Sequence, residues 1–307
     1  MQACWELCRL HNNIGFWVVW LPTGKATGFS RSWSIAMAYR AQPAISAEDA
    51  ILCALVYVPL CFGIKSLIMT IDDLLDYDVD ALVERTRDRA IPRGAISLGR
   101  AWLFFGIQVV SGVYLATTAL STTALYTSMP VWPLYIIYPT CKRWTNLAPI
   151  PLGLMFKVGI FMGWSDLSRD GRIPWSTLVP IYLGACLWTI TYETVYQHQD
   201  KFDDAMIGLN SPARLCGEYT IPVCTATAIG FLALLTYGGT LNGQGAAFYI
   251  GVAVAGGTLF RSLAKTNIDS PETCKDMFLT TPLVGQIILG GFVADAVFHR
   301  IIHGIAL

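Results

Sequence analysis

The sequence predicts an all-α protein, a multi-pass transmembrane helical bundle of about nine spans. Three features carry that prediction. Of the 307 residues, 54% are hydrophobic and only 14% are charged, whereas a soluble domain carries nearer a quarter charged. The apolar residues gather in runs close to the length that crosses a bilayer, about 20 residues. Short connections join the runs and leave no room for a sizeable soluble domain, so residues 1–307 read as one membrane domain in contact with the lipid bilayer. A formal net charge of zero argues against nucleic acid as a partner.

The runs lie near residues 14–40, 50–71, 101–120, 122–139, 148–165, 177–197, 219–239, 245–263 and 281–299. The first is interrupted. IGFWVVWLPT (Ile14–Thr23) and SWSIAMAYR (Ser32–Arg40) would together make one span, but GKATGFSR (Gly24–Arg31) separates them. Such polar and glycine-rich residues enter hydrocarbon only where protein shields them. Either the segment is a loop or re-entrant break, or it is foreign to the fold, such as translated intron. The second reading is preferred, because nothing in GKATGFSR suggests chemistry. On that reading, deleting Gly24 to Arg31 joins two halves of one helix and preserves expression. Trp17, Trp20, Trp132 and Trp164 are expected in interfacial belts. The nine cysteines form no CxxC pair and lie mostly in apolar runs, which favours buried thiols over disulfides or zinc. No long basic leader precedes the first span, so neither a signal nor a transit peptide is expected.

Lys and Arg are distributed unevenly. The amino terminus and the connections after even-numbered spans hold Arg9, Arg85, Arg87, Arg89, Arg93, Arg100, Lys142, Arg143, Lys201, Arg214, Arg261, Lys265 and Lys275. The opposite connections hold mainly Arg40, Arg169 and Arg172. The positive-inside rule places the first group in the cytosol.

On that same side, DDLLDYDVD (Asp72–Asp80) closes the second span. Asp72, Asp76 and Asp80 are spaced i, i+4, i+8 and share one helix face. Like charges at that spacing repel, so the face suits a hard cation. Mg2+ fits, because it binds through one or two carboxylates and keeps positions open for substrate phosphate. A second acidic face, YETVYQHQDKFDDAMIGLNSPAR (Tyr192–Arg214), closes the sixth span on the same side. There Asp200 and Asp204 are i, i+4, as are Tyr196 and Asp200. Basic, glycine-containing stretches follow each cluster: RTRDRAIPRG (Arg85–Gly94) and GLNSPAR. Carboxylates with metal, beside guanidinium groups, clamp a diphosphate from both sides. With apolar helices around it to take a hydrocarbon tail, the ligand described is an isoprenyl diphosphate.

At these residues the sequence resembles the UbiA superfamily of intramembrane prenyltransferases. Asp72–Asp80 is similar to the family's NDxxDxxxD, with Asp72 where Asn is usual. VERTRDRAIPRG resembles VxRTxxRP, with Ala90 and Ile91 where Pro-Leu is commonest. Glu193 to Asp204 resembles DxxYAxQDxxDD, with Glu193 for the first Asp and Gln197 for Ala. YPTCKR (Tyr138–Arg143) resembles YPxxKR, and RLHNNIGFWVVWLPT resembles RxxKPxGxxLLxxPT, with Asn12-Asn13 in place of Lys-Pro. The resemblance covers essentially the whole chain. RLHNNIGFWVVWLP and RTRDRAIPRGAIS look most like the fungal meroterpenoid polyprenyl transferases.

The resemblance implies a bundle around a central cavity, with Mg2+ bridging the two clusters through the diphosphate. Asp72, Asp76, Asp200 and Asp204 then contact metal and are the catalytic set, and Asp73, Asp80 and Asp203 support them. Arg85, Arg87, Lys142 and Arg143 bind diphosphate or are topology charges. Asn12, Tyr196 and Lys157 join the substrate-binding candidates, Lys157 because an intramembrane charge usually faces a cavity. Lys65 faces the cavity or snorkels. His198 orients a carboxylate, serves as a base, or is a plain interfacial histidine.

The implied reaction moves a farnesyl or geranylgeranyl group onto an electron-rich carbon of an aromatic or pyrone polyketide, in an endoplasmic reticulum-type membrane. The alternative is the 4-hydroxybenzoate polyprenyltransferase of ubiquinone biosynthesis, in the mitochondrial inner membrane. A transporter is the remote reading. It predicts charges near mid-membrane, whereas these acids sit at span ends on one side.

Overall fold

The structure, a computed structural model, describes residues 2–9, 27–83 and 86–307, with the backbone alone at 27–30 and 203. No strand occurs among them. The helices are α1 (Gln2–Leu7), α2 (Thr27–Ala41), α3 (Ala47–Leu75), α4 (Tyr77–Asp80), α5 (Leu98–Ala119), α6 (Thr122–Ser128), α7 (Leu134–Thr140), α8 (Pro149–Lys157), α9 (Gly159–Leu167), α10 (Trp175–Tyr196), α11 (Lys201–Met206), α12 (Pro212–Cys216), α13 (Thr220–Leu241), α14 (Ala246–Lys265) and α15 (Pro271–Ile302).

Seven described stretches are long and apolar enough to cross a membrane: Ala47–Leu75, Leu98–Ala119, Pro149–Leu167, Trp175–Asp200, Pro212–Leu241, Ala246–Lys265 and Pro271–Ile302. The other two expected spans take different forms. Within the described residues the first is α2, 15 residues long. The fourth is divided into α6, a 3-10 turn at Met129–Val131, and α7. Pro130 and Pro133 at the break lack the amide donor a continuous helix needs, while Pro139 is accommodated inside α7.

Local sequence sets several boundaries. Ser46 caps α3 in a reciprocal box: its Oγ accepts from the Asp49 amide at 3.1 Å, and its own amide donates to Asp49 Oδ2 at 3.2 Å. α12 and α15 each open on a Ser cap followed by Pro.

Contacts run from α2 to α3, α7, α8, α10, α13, α14 and α15 and return to α2, closing the helices into a ring. α5 lies outside it against α3, and Leu103, Val110 and Tyr114 on α5 are 67%, 70% and 71% exposed, as a lipid-facing surface would be. Between α14 and α15 the backbones nearly touch: a Cβ on Gly251 would stand 2.9 Å from Gly291 Cα, the close approach that small residues allow in membranes. Inside the ring, Trp188 stacks on Phe231 (5.2 Å between centroids, 7°) and on Trp33 (5.7 Å, 20°). Trp33 Nε1 donates to Gly285 O at 3.2 Å, so its polar edge is satisfied. All nine cysteines are free thiols, six of them buried.

Two expectations change here. From Thr27 onward the chain is helical, so the last five residues of Gly24–Arg31 belong to α2; residues 24–26 lie outside the described ones. Arg31 is 5% exposed and donates to Cys61 Sγ at 2.6 Å, so a deletion through Arg31 removes a packed side chain as well as polar residues. Trp164 is buried at 6% exposure rather than interfacial, because α9 packs against α2.

The end of the bundle remote from Asp72–Asp80 is tied by one ion pair. Arg40 Nε donates to Asp295 Oδ2 at 2.7 Å and Arg40 Nη1 to Asn242 O at 3.1 Å, while Gly245 N donates to Asp295 Oδ1 at 2.8 Å. The group joins α2, α15 and the turn between α13 and α14. Asp295→Ala leaves the guanidinium without its carboxylate, an error that costs about 3 kcal/mol or more in a buried pair. The expected result is a clearly lowered midpoint of thermal unfolding in detergent; an unchanged midpoint would show that the pair does not tie this end.

Candidate active site

The acidic stretch begins inside a regular helix. Asp76 N donates to Asp72 O at 3.0 Å and Asp80 N to Asp76 O at 2.7 Å, so the i to i+4 ladder runs through all three residues. At Asp76 the backbone turns to φ −106°, ψ 9°, which separates α3 from α4. Asp72 and Asp76 are half-buried, and Asp73 and Asp80 are 3% and 6% exposed.

The carboxylates that face inward are matched by arginines. Arg89 Nη1 stands 2.6 Å from Asp80 Oδ2 and 3.2 Å from Asp73 Oδ1. Arg9 Nη2 stands 2.6 Å from Asp73 Oδ1 and 3.3 Å from Asp72 Oδ2. Burial raises the Asp80 carboxyl in spite of Arg89. On the outer face, Arg143 Nη2 donates to Asp78 Oδ1 and to Leu75 O, each at 2.7 Å, and lies 3.6 Å from Asp76 Oδ1. The Arg143 bond holds the Asp78 carboxyl below the usual carboxylate range.

The second cluster is built differently. After α10 the chain tightens into a 3-10 turn, Gln197–Asp200, and then re-forms a helix as α11. Three residues per turn replace 3.6, so the stripe expected from i, i+4 spacing is rotated between Tyr196 and Asp204. Asp200 is half-buried and Asp204 is 5% exposed. Lys201 Nζ is drawn away to Asp269 Oδ1 at 2.5 Å and Ile268 O at 3.1 Å.

Lys142 joins the two clusters. Burial pulls its ammonium down, but Asp204, Asp72, Asp76 and Asp200 together outweigh burial and raise it. A single ammonium within electrostatic reach of all four places both acidic faces at one end of the bundle. One turn earlier, Tyr138 lies within reach of Glu193, Asp72, Tyr196 and Asp76. The main chain closes the same junction, since Asn210 N donates to Lys142 O at 2.8 Å.

The remaining sequence candidates have the following surroundings. Arg87 is exposed on the connection after α4. Lys157 is fully buried, with Nζ 4.9 Å from the Trp188 ring centre and 5.9 Å from that of Tyr192. It faces the aromatic core, with Glu193 within electrostatic range. Tyr196 packs its ring 4.4 Å from that of Phe278. His198 is buried and bonds Thr220 Oγ1 through Nε2 at 2.8 Å, a structural contact on α13. Lys65 is half-buried and within range of Cys8. Asn12 and Arg85, and the side chain of Asp203, lie outside the described residues. Arg9, Arg89 and Tyr138 were not singled out from sequence as site residues. Each nevertheless stands in a stretch that carries the family resemblance: Arg9 opens RLHNNIGFWVVWLPT, Arg89 lies in VERTRDRAIPRG and Tyr138 opens YPTCKR, so the motifs were the available signal.

The donor set consists of hard carboxylate oxygens. Among the described residues no three His, Cys, Asp or Glu side chains converge into a ready metal cage, because Arg9, Lys142 and Arg143 stand among the acids. That fits a cation held by one or two carboxylates per ion with substrate phosphate completing its shell, and does not fit a resident all-protein site.

Fold and site thus define an integral-membrane helical bundle with two acidic clusters at one end, both within electrostatic reach of Lys142. The UbiA prenyltransferase family model matches residues 29–284, and the chain belongs to that family. It is 32% identical over 298 residues to a protein of Aedes aegypti named 4-hydroxybenzoate polyprenyltransferase, mitochondrial. That alignment covers 95% of this chain and 63% of the relative. The human protein of the same name is 32% identical over 300 residues, covering 95% of this chain and 75% of its own length. Among solved structures, the apo form of a UbiA homolog from Aeropyrum pernix K1 superposes with TM-score 0.70 at 25% identity, covering 88% of this chain and 97% of that one. A UbiA homolog from Archaeoglobus fulgidus bound to GPP and Mg2+ shares the fold, with TM-score 0.64 at 16% identity over 96% of this chain and 99% of that one.

Burial pushes the Asp76 carboxyl up to about 7, with Asp72 adding to the rise and Lys142 opposing it. An ordinary aspartate loses its proton near 3.8. Between that pH and about 7 the folded state therefore binds the extra proton, and stability falls as pH rises. Above about 7 both states are charged and the penalty is constant. Thermal unfolding in detergent without divalent cation should give a midpoint that declines from about pH 5 to about pH 7. Asp76→Asn should flatten that decline and exceed the parent above pH 7; an unaltered slope would exclude Asp76 as its source.

Proposed function

We propose that the chain transfers a polyprenyl group from its diphosphate to 4-hydroxybenzoate, with Mg2+ as cofactor. The observation that carries this reading is that both acidic clusters come within electrostatic reach of Lys142 at one end of an apolar helix ring, where Asn210 N also donates to Lys142 O at 2.8 Å. The names of the relatives support the acceptor, and the Archaeoglobus homolog bound to GPP and Mg2+ supports the donor class and cation. The mitochondrial names support a mitochondrial membrane. Neither a polyketide acceptor nor an endoplasmic reticulum-type membrane finds support among these relatives.

In this reading Asp72, Asp76, Asp200 and Asp204 hold the cation. Mg2+, when bound, supplies positive charge against the diphosphate as the allylic C–O bond breaks and the electron pair leaves with it. Lys142 adds a fixed ammonium beside the same oxygens. The apolar ring receives the chain and keeps water from the allylic cation. An electron-rich ring carbon of the acceptor forms the new C–C bond, and loss of its proton restores aromaticity. Glu193 and Tyr138 border the site but need not remove that proton, because a phenol already supplies electron density.

The test incubates membranes containing the protein with Mg2+, a panel of prenyl diphosphates, and 4-hydroxybenzoate beside phenolic and pyrone acceptors, followed by mass spectrometry. Prenylated hydroxybenzoate is expected. Prenylated pyrone alone would replace the acceptor, and uptake without product would replace the enzyme by a transporter. Chelation should abolish product and added Mg2+ restore it. Asp76→Ala or Asp200→Ala should lower turnover by about 100-fold or more, the usual effect of losing one electrostatic stabiliser. Arg87→Ala, at an exposed position, should cost much less. Near-normal turnover by Asp76→Ala would sink the catalytic assignment of the acidic stretch.

A further inference from the structure

The first acidic cluster is held from behind by parts of the chain far from it in sequence. Leu7 of α1 is fully buried in a small apolar cluster with Ile71 and Leu74 of α3 and Ala90 and Ile91 of the connection that follows. Glu6 pairs with Arg93 beside it. Immediately after α1, Arg9 adopts φ +52°, the only non-glycine among the described residues to do so, a conformation uncommon away from glycine. From there its Nη2 reaches Asp73 Oδ1 at 2.6 Å and Asp72 Oδ2 at 3.3 Å. Arg89 meets the same Asp73 oxygen from the other side and grips Asp80.

These contacts divide the cluster. Asp73 and Asp80 face two arginines and are nearly closed to water. Asp72 and Asp76 remain half-buried toward Lys142 and the second cluster. Without the arginines, four carboxylates on adjoining helix faces would repel one another, and the end of α3 would turn or take up protons to relieve that repulsion. The longer contact of Arg9 Nη2, to Asp72, can yield to an incoming ligand while its shorter contact keeps Asp73.

We infer that Arg9 is a positioning residue for the diphosphate site: with Arg89 it neutralises Asp73, and with Leu7 it straps α1 to the end of α3, so that Asp72 and Asp76 point at Lys142. This rests on the diphosphate reading above and adds to it a role for the amino-terminal segment and a reason why Asp73 is not a cation ligand.

The experiment measures full-length protein in detergent by hydrogen–deuterium exchange and by kinetics against prenyl diphosphate and Mg2+. Arg9→Gln should speed exchange across residues 2–9 by about tenfold or more, with no ligand present. It should raise the KM for the diphosphate and the half-saturating Mg2+ by about tenfold, while kcat at saturation falls less than about threefold. Arg9→Lys should recover most of both. If Arg9→Gln does not fold, the double variant Arg9→Gln/Asp73→Asn leaves no orphan carboxylate and should show the same faster exchange, with KM raised by about threefold, because the strap is lost while Asp73 no longer repels its neighbours. Exchange and KM at parental values in either variant overturn the proposal. Faster exchange with an unchanged KM overturns the positioning role and leaves only a tether. If the parent forms no product with any donor, the diphosphate reading fails by itself, and the exchange measurement still decides the strap.

Discussion

Everything at the acidic end depends on one electrostatic constraint: several carboxylates must lie close together where burial makes their repulsion expensive. Burial strengthens both repulsion and attraction relative to water. The structure meets the constraint with interleaved cations. Lys142 stands between the clusters, Arg89 and Arg9 hold the inner acids, and Arg143 covers the outer face. Removing positive charge from any of these positions changes which acids can remain ionised together. The site is therefore a charge lattice, in which carboxylates and cations are positioned by one another.

The fold serves that lattice through its irregular elements. Pro130 and Pro133 split the fourth expected span; the resulting short helix α7 carries Tyr138, and the 3-10 turn after it, Cys141–Arg143, carries Lys142 within electrostatic reach of the acids at the ends of α3 and α10. The 3-10 turn after α10 rotates Asp200 and Asp204 relative to Tyr196. The break at Asp76 offsets α4 without interrupting the hydrogen-bond ladder. The long helices are by contrast continuous, even through Pro59, Pro180 and Pro282, packed through glycines and aromatic stacks, and tied at the far end by Arg40 and Asp295. An ion-paired far end and short, separately placed elements at the other suit a site that must admit a charged ligand and keep its apolar tail out of water.

The reading of substrate class separates into two levels with different warrants. Carboxylates at hydrogen-bonding range of cations, beside an apolar ring, select for a diphosphate on a hydrocarbon. The acceptor is less sharply marked: the single carboxylate of 4-hydroxybenzoate calls for one cation, which the diphosphate requires as well, and its phenol ring is recognised by shape and a few polar contacts. Its assignment to 4-hydroxybenzoate leans on named relatives, and short phrases that resembled another branch of the family pointed to a different acceptor.

By itself the sequence determined the membrane class, the positions of most spans, both acidic clusters and the likeness to the family. These are local properties: run length, charge spacing and motif order survive without knowledge of contacts. Tertiary structure decided which acids are paired and which face the junction. Asp72, Asp73, Asp76 and Asp80 look alike in sequence, and only the approach of Arg9 and Arg89, from 63 and 9 residues away at their nearest aspartate partners, tells them apart. It also moved Arg143 to Asp78, His198 to Thr220 and Lys157 to the Trp188 ring, and drew Arg31 into the core. A side chain's partner is set by how distant segments pack, and periodicity along one segment carries no information about the segment that will meet it.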